Sequence, residues 1–224
     1  MKSRRYRPAV AAALFAALLF QHALRAADAP FEKEIAAFEA ADKKAPPPRD
    51  AVLFVGSSTI RMWTTLAEDF PKLTVINRGF GGSQIADSVR YADRIITPYH
   101  PSRIVVYAGD NDLAAGKTPQ KVLADFRALV DKVRAAQAGV PVTFISIKPS
   151  IARWKLIEQI REANRLVAEY AKSQANVDFI DIGPPMLGAD GKPRKELFRP
   201  DGLHMTRAGY ELWAGIIGPQ LSNK

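Results

Sequence analysis

Cysteine is absent from this chain of 224 residues, and histidine is scarce, with only His22, His100 and His204. Without cysteine the chain cannot form a disulfide scaffold, an iron–sulfur site or a thiol nucleophile. With so few imidazoles, a zinc site built on several histidines is disfavoured. The composition therefore does not indicate a metal site, and we predict none. The chain is 47% hydrophobic and 25% charged, which suits one domain with a substantial core.

The N-terminal apolar run, residues 8–20, is shorter than the roughly 20 residues of a comfortable transmembrane helix. It follows a basic segment at 2–7 and precedes the small residues Ala26 and Ala27. This layout predicts a secretory signal peptide over 1–27. We expect a periplasmic or secreted protein with no stable membrane insertion after the signal is removed. An uncleaved membrane anchor is the alternative interpretation.

The basic character of the chain is concentrated in this predicted signal. Residues 1–27 contain five basic residues and no acidic one, which leaves +4 of the total net charge of +9 for the remainder. Acidic and basic residues are interleaved in that remainder. The sequence therefore does not indicate a basic groove for nucleic acid.

Apolar runs rich in valine and isoleucine recur along the rest of the chain. Such runs are typical of parallel strands that are buried on both faces of a sheet. They lie at 51–55, 73–76, 104–108, 142–147 and 177–182. Helical patterns occupy the intervals, at 85–96, 122–133, 160–170 and 206–217. We predict an α/β fold, a three-layer α/β/α sandwich with a five-stranded parallel sheet.

The predicted sheet is preceded by a separate N-terminal element over 28–50. This element contains a helical pattern over 30–43 and a stiff spacer of three prolines at 46–48. The single predicted domain then occupies 51–224, and the sequence shows no internal repeat.

Polar and glycine-rich segments follow the predicted strands. Ligand sites in open parallel sheets form beyond the carboxyl ends of the strands, so we expect these segments to meet there. They are Gly56–Thr59, Asn77–Ser83, Gly109–Asp112 and, before the last helix, Asp201–His204.

These segments contain the parts that nucleophilic catalysis requires. A serine at a strand end needs a base, and His204 lies at that end of the sheet, whereas His100 lies at the far end. Asp201 is placed to orient the imidazole of His204. Gly82 and Asn111 offer a backbone and a side-chain N–H to an oxyanion. Taken singly, each of these residues also has a structural interpretation, as a turn, a helix cap or a left-handed residue.

The four segments together resemble those of the SGNH hydrolases, also called GDSL-type esterases and lipases, over about 51–217. The resemblance implies a flavodoxin-like fold and an esterase without a cofactor. It implies a catalytic set of Ser58, Asp201 and His204, and an oxyanion hole of Ser58, Gly82 and Asn111. Ser57 stands where this family often has aspartate.

Two other enzyme classes fit the sequence less well. A dinucleotide-binding loop is disfavoured because the glycines follow the second strand and Gln84 replaces the third glycine of the motif. The Gly-x-Ser-x-Gly elbow of the common lipase fold is disfavoured because Ile60 stands two residues after Ser58.

The resemblance implies hydrolysis of a small-molecule or glycan ester, and we expect short acyl chains on a polar or carbohydrate substrate. A lysophospholipase or lipase of the same family, and a catalytically silent extracytoplasmic binding protein, remain alternatives. The sequence does not predict an oligomeric state. Candidate pocket residues are Arg61, Trp63, Arg78, Lys148, Arg153 and Trp154.

Overall fold

The computed structural model describes residues 29–222, so the predicted signal peptide lies outside the described residues. Within them, five strands form one sheet in the order β2-β1-β3-β4-β5, and every neighbouring pair is parallel. The strands are β1 (Val52–Gly56), β2 (Val75–Gly79), β3 (Arg103–Tyr107), β4 (Val142–Ile145) and β5 (Val177–Ile180). The predicted α/β fold with a five-stranded parallel sheet is confirmed.

Helices cover both faces of this sheet. The α-helices are α1 (Glu32–Lys44), α2 (Ser58–Arg61), α3 (Leu66–Asp69), α4 (Ile85–Ile95), α5 (Asp110–Ala114), α6 (Pro119–Ala136), α7 (Ile157–Lys172) and α8 (Arg207–Ser222). Helices α1, α4, α6 and α7 contribute to the hydrophobic cluster on one face, and α2, α3 and α8 to the cluster on the other. None of the helices within residues 29–222 is long and apolar enough to cross a membrane.

The strand sequences are apolar throughout because both faces of the sheet are buried. Successive side chains of a strand point to opposite faces. Leu53 and Val55 accordingly pack in one core cluster, while Val52 and Phe54 pack in the other. All five residues of β1 and of β3 are buried, as in other parallel sheets that are covered on both sides.

Strand β2 differs from its predicted position. The apolar run predicts a strand over 73–76, whereas the structure places β2 at Val75–Gly79. Asn77 belongs to the strand because its side chain replaces the solvent contacts that a polar residue loses there. Its Nδ2 donates to the carbonyl of Ile60 at 2.7 Å, and its Oδ1 accepts the N–H of Gly79 at 2.9 Å.

Helix α1 is fastened to the sheet-covering helices. Ile35 has no exposed surface, and Arg94 on α4 forms ion pairs with Glu32 and Glu39 of α1. Asp42 of α1 pairs with Arg78 of β2 at 2.6 Å. The predicted helix at 30–43 is therefore present as α1, and it packs on the same body as the sheet.

The strand order of the sheet reverses at β1. The chain leaves β1 for β2 on one side and later enters β3 on the other, so β1 and β3 flank the switch point where such sheets bind ligands. Gly56 is level with Gly79 on β2 and with Tyr107 on β3. A Cβ on Gly56 would lie 1.8 Å from the carbonyl oxygen of Tyr107, so only glycine fits at this strand end.

Candidate active site

Ser58, His204 and Asp201 form a continuous chain of hydrogen bonds at the carboxyl end of the sheet. Ser58 opens α2 directly after β1 and Ser57. Its Oγ lies 3.0 Å from Nε2 of His204, although the two residues are 146 positions apart in the sequence. Nδ1 of His204 lies 2.7 Å from Oδ2 of Asp201. An imidazole that donates from Nδ1 to the carboxylate leaves Nε2 free to accept the serine proton.

Backbone groups hold the carboxylate of Asp201 in place. Its Oδ1 accepts the N–H of Leu203 at 2.8 Å and that of His204 at 2.9 Å. Partial burial alone would raise the pKa of Asp201, but hydrogen bonds from the His204 side chain and from these two N–H groups lower the pKa to about 2. The carboxylate is therefore ionised at neutral pH and keeps the imidazole oriented.

The loop after β2 brings Gly82 close to Asn111. Gly82 has φ +79°, and the space that a side chain would fill there is open. Ser83 closes the loop by donating its hydroxyl to the carbonyl of Phe80 at 3.0 Å. The carbonyl of Ser83 accepts a hydrogen bond from Nδ2 of Asn111 at 3.0 Å. A primary amide has two N–H groups, so Asn111 has a second donor for another acceptor.

Asn111 is held by its backbone as well as by its side chain. It lies in the first turn of α5, and its N–H donates to Oδ1 of Asp110 at 3.0 Å. The structure thus brings the residues at the ends of β1, β2 and β3 to the same end of the sheet as Asp201 and His204.

Two side chains of different character lie beside these residues. Ile151 packs against Gly202 and is 40% exposed, the one large hydrophobic side chain within residues 29–222 that is so exposed. The backbone N–H of Ala152 donates to the carbonyl of Gly202 at 2.9 Å, which ties this segment to the loop of His204. The exposed guanidinium of Arg61 packs against Gly81, which belongs to the loop that carries Gly82.

The structure contradicts the prediction that three of the candidate residues line a pocket. Trp63 is 1% exposed and packs in the core beneath α8, with its indole N–H donated to Asp69. Arg78 is buried between the rings of Phe38 and Tyr99. Lys148 is also buried rather than at the surface. Arg78 and Lys148 follow predicted strands and Trp63 lies a few residues beyond one, but the direction of each side chain depends on packing that a local pattern does not contain.

The remaining candidates lie nearer the surface. Trp154 is partly exposed, and its ring lies 4.8 Å from Nζ of Lys192. Nε of Arg153 is buried and has no hydrogen-bond acceptor in the described part of the chain. No cluster of three or more histidine, aspartate or glutamate residues within residues 29–222 is arranged to hold a metal ion.

Comparison with known proteins places the chain in a family. A sequence model of the GDSL-like lipase/acylhydrolase family matches residues 54–212. The chain therefore belongs to this family, also called the SGNH hydrolases, and it is a hydrolase. A search of curated proteins found no match.

Solved structures share the fold at low sequence identity. A Streptococcus pneumonia structure named for platelet activating factor has a TM-score of 0.76 and 22% identity, over 93% of this chain and 99% of the other. A GDSL-like lipase from Bacteroides thetaiotaomicron has a TM-score of 0.72 and 19% identity, over 84% and 97%. A family 3 carbohydrate esterase from Talaromyces cellulolyticus has a TM-score of 0.63 and 21% identity, over 76% and 95%. At these identities the similarities show the fold alone.

Proposed function

We propose that the chain is a serine esterase that hydrolyses carboxylic esters. The observation that carries the proposal is the hydrogen-bonded chain from Asp201 through His204 to Ser58. A serine hydroxyl is a weak nucleophile until a base accepts its proton, and an imidazole held by a carboxylate is such a base.

In the acylation step, Ser58 Oγ attacks the ester carbonyl carbon while its proton passes to Nε2 of His204. Asp201 stabilises the imidazolium that forms. The C–O bond to the alcohol then breaks, and His204 donates its proton to the departing oxygen. The product of this step is an acyl group on Ser58.

The charge that develops on the carbonyl oxygen needs donors. We assign this role to the N–H groups of Ser58 and Gly82 and to the second amide N–H of Asn111. The bond from Asn111 to Ser83 supports this assignment, because it fixes the amide beside Gly82 and leaves its second N–H for another acceptor. In the second step, His204 removes a proton from water, which attacks the carbonyl carbon of the acyl group. The bond from this carbon to Ser58 Oγ then breaks, His204 returns the proton to Ser58, and the acid is released.

We favour short acyl chains on a polar or carbohydrate substrate. The exposed guanidinium of Arg61, at the end of α2, packs against Gly81 in the loop of the proposed oxyanion hole and offers hydrogen-bond donors to a polar alcohol. The carbohydrate esterase among the structural neighbours is consistent with this preference. We also propose that the protein is exported, on the evidence of the signal-like segment 1–27.

A lysophospholipase or lipase is the second candidate, and a cavity favours it. This cavity of about 350 Å³ lies between α7 and the carboxyl ends of β4 and β5, and its walls are mainly apolar. Pro149 lines the cavity and is two residues from Ile151, which packs against Gly202. A longer acyl chain therefore has an apolar volume at the same end of the sheet as the proposed site.

A series of p-nitrophenyl esters from acetate to palmitate, assayed with purified protein, tests the proposal. We expect kcat/KM to be highest for acetate or butyrate and to fall with chain length. A kcat/KM that is highest for acyl chains of eight or more carbons would favour the lipase, because each methylene buried in an apolar cavity contributes about 0.8 kcal/mol. If the wild-type protein turns over every ester no faster than Ser58→Ala does, the result would favour a catalytically silent binding protein.

A further inference from the structure

A lysine ammonium lies buried next to the proposed catalytic residues, and the mechanism above does not use it. The side chain of Lys148 is 1% exposed. Its Nζ donates to Thr59 Oγ1 at 3.1 Å, to the Tyr107 hydroxyl at 2.9 Å and to Asp110 Oδ2 at 3.2 Å. An ammonium has three N–H donors, so these three acceptors satisfy it completely.

The three acceptors come from different strand ends. Thr59 lies on α2, which follows β1, and Tyr107 is the last residue of β3. Asp110 opens α5, which also follows β3, and Lys148 itself lies beyond the end of β4. One ammonium therefore connects the carboxyl ends of β1, β3 and β4 across the switch point of the sheet.

Two of the three acceptors, Thr59 and Asp110, are sequence neighbours of residues in the proposed mechanism. Thr59 is the residue after Ser58, and its carbonyl is also fixed by the Tyr210 hydroxyl at 2.9 Å. Asp110 precedes Asn111, and the two carboxylate oxygens have different partners. Oδ2 binds Lys148, while Oδ1 accepts the backbone N–H of Asn111 at 3.0 Å.

Stability alone is a poor explanation for this pair. The side chains of Lys148 and Asp110 are 1% and 5% exposed, so both charges have lost nearly all contact with water. Replacement of such a pair by neutral side chains of similar volume is often neutral or stabilising, because the desolvation cost offsets the attraction. A role in fixing geometry accounts for the location of the pair.

We propose that Lys148 and Asp110 are positioning residues, which hold the nucleophile Ser58 and the oxyanion donor Asn111 at a fixed separation. The inference rests on the proposed esterase function. Neither residue touches the substrate in this scheme. Their effect falls on the chemical step, because a displacement of about 1 Å in an active site costs roughly 100-fold in rate.

The variant Lys148→Met/Asp110→Asn tests the role. Methionine keeps an unbranched chain of similar length, and asparagine keeps an oxygen that accepts the N–H of Asn111. We expect kcat for p-nitrophenyl acetate to fall by about 10- to 100-fold, with KM changed by less than about threefold. A purely structural role would lower the melting temperature and leave the kcat of the folded protein unchanged.

The chain contains a matched control at the opposite end of the sheet. Nη1 of Arg103 on β3 lies 2.7 Å from Oδ2 of Asp178 on β5, in a pair that also connects strands. We expect Arg103→Met/Asp178→Asn to retain kcat within about twofold, whatever its melting temperature. Equal losses of kcat in the two double variants would overturn the positioning role.

A second comparison covers the case in which the first variant does not fold. Thr59→Val removes one acceptor of the ammonium and keeps the shape of the side chain. We expect a several-fold loss of kcat at unchanged KM, and an unchanged kcat would overturn the proposal. Lys148→Met/Asp110→Asn should also cost less kcat in an Asn111→Ala background, because residues that act through one another are not additive.

Failure of the proposed function has a different signature. A wild-type protein with no turnover above that of Ser58→Ala would overturn the esterase and the positioning role together. An active wild-type protein whose kcat survives both Lys148→Met/Asp110→Asn and Thr59→Val would overturn the positioning role alone.

Discussion

Each end of the sheet holds an ion pair that connects strands, and the two pairs differ in their burial and in the residues that surround them. At the amino end, Arg103 binds Asp178 and also donates to Thr143 Oγ1 at 2.9 Å, which connects β3, β4 and β5. At the carboxyl end, Lys148 and Asp110 connect β1, β3 and β4. The carboxyl-end pair adjoins Ser58 and Asn111, whereas the amino-end pair adjoins none of the proposed catalytic residues.

The comparison teaches that the same kind of interaction can serve different purposes within one sheet. Strands must be held together at both ends, but only the carboxyl ends converge on a switch point. We therefore expect substitutions at the carboxyl end to change kcat with little effect on stability. Substitutions at the amino end should do the reverse.

The largest effect is expected at Ser58. Ser58→Ala removes the proposed nucleophile and should lower kcat for p-nitrophenyl acetate by about 10⁴-fold or more, with an unchanged melting temperature. Ser57→Ala is the control, because the Ser57 hydroxyl is buried and has no hydrogen-bond partner within the described residues. Labelling of Ser58→Ala by a fluorophosphonate probe at the wild-type rate would move the nucleophile to another residue.

Replacement of the carboxylate should have the next largest effect. Asp201→Asn removes the charge that orients His204 and should lower kcat by up to about 10⁴-fold, as in other triads. Steady-state kinetics measure the loss. A loss under about tenfold would mean that backbone groups or water orient the imidazole instead.

Asn111 should contribute less, because in the proposed oxyanion hole it acts together with two backbone donors. Asn111→Ala should lower kcat by about 10²- to 10³-fold, with little change in KM or melting temperature. Asn111→Asp should be at least as damaging, since it places an anion beside the developing oxyanion. Steady-state kinetics and thermal melts on the two variants provide the measurement, and an active Asn111→Asp enzyme would remove this residue from the mechanism.

At the amino end the expected effect is on stability. Arg103→Met leaves the carboxylate of Asp178 without its arginine partner and should lower the free energy of unfolding by about 1–3 kcal/mol. This is less than the roughly 3–5 kcal/mol of a fully buried pair, because the Asp178 side chain is 26% exposed. Urea unfolding measures the loss, and a fall in kcat beyond about twofold would erase the contrast between the two ends.

The smallest expected effect is the pH dependence that Asp201 contributes to stability. The folded-state pKa of Asp201 is about 2, below the ordinary value of 3.8, so its ionised form stabilises the fold. This contribution is complete above about pH 5 and is lost as the pH falls towards 2. The difference in melting temperature between the wild type and Asp201→Asn should narrow over that range. A difference that does not change with pH would contradict the lowered pKa.

The sequence predicts the sheet well because its strands are buried on both faces, and burial on both faces produces continuous apolar runs. It misplaces β2 because Asn77 interrupts the apolar run. The Asn77 side chain nevertheless fits within the strand, because it forms hydrogen bonds with the backbone of Ile60 and Gly79. That compensation involves a contact with α2, which a local pattern cannot contain.

The site is predictable to a different extent. Ser58, Asp201 and His204 lie in short segments with recognisable residue types, and the structure brings them within hydrogen-bond distance. The network around Lys148 has no such signal, because a lysine in sequence is most often exposed and its partners come from distant segments. Thr59 and Asp110 lie in segments that the sequence predicts at the site, and Lys148 is among the candidate pocket residues, but no sequence pattern pairs the three side chains.

The segment that carries Ile151 has a consequence for how the protein can change over generations. Its main chain is fixed to the loop of His204 through the hydrogen bond from Ala152 to Gly202, while the Ile151 side chain is free of the core. A new side chain at this position changes the exposed surface beside Gly202 without breaking the main-chain contact to the loop of His204. Under the proposed function, single substitutions can therefore accumulate here over generations while the hydrogen-bonded chain from Asp201 to Ser58 stays in place.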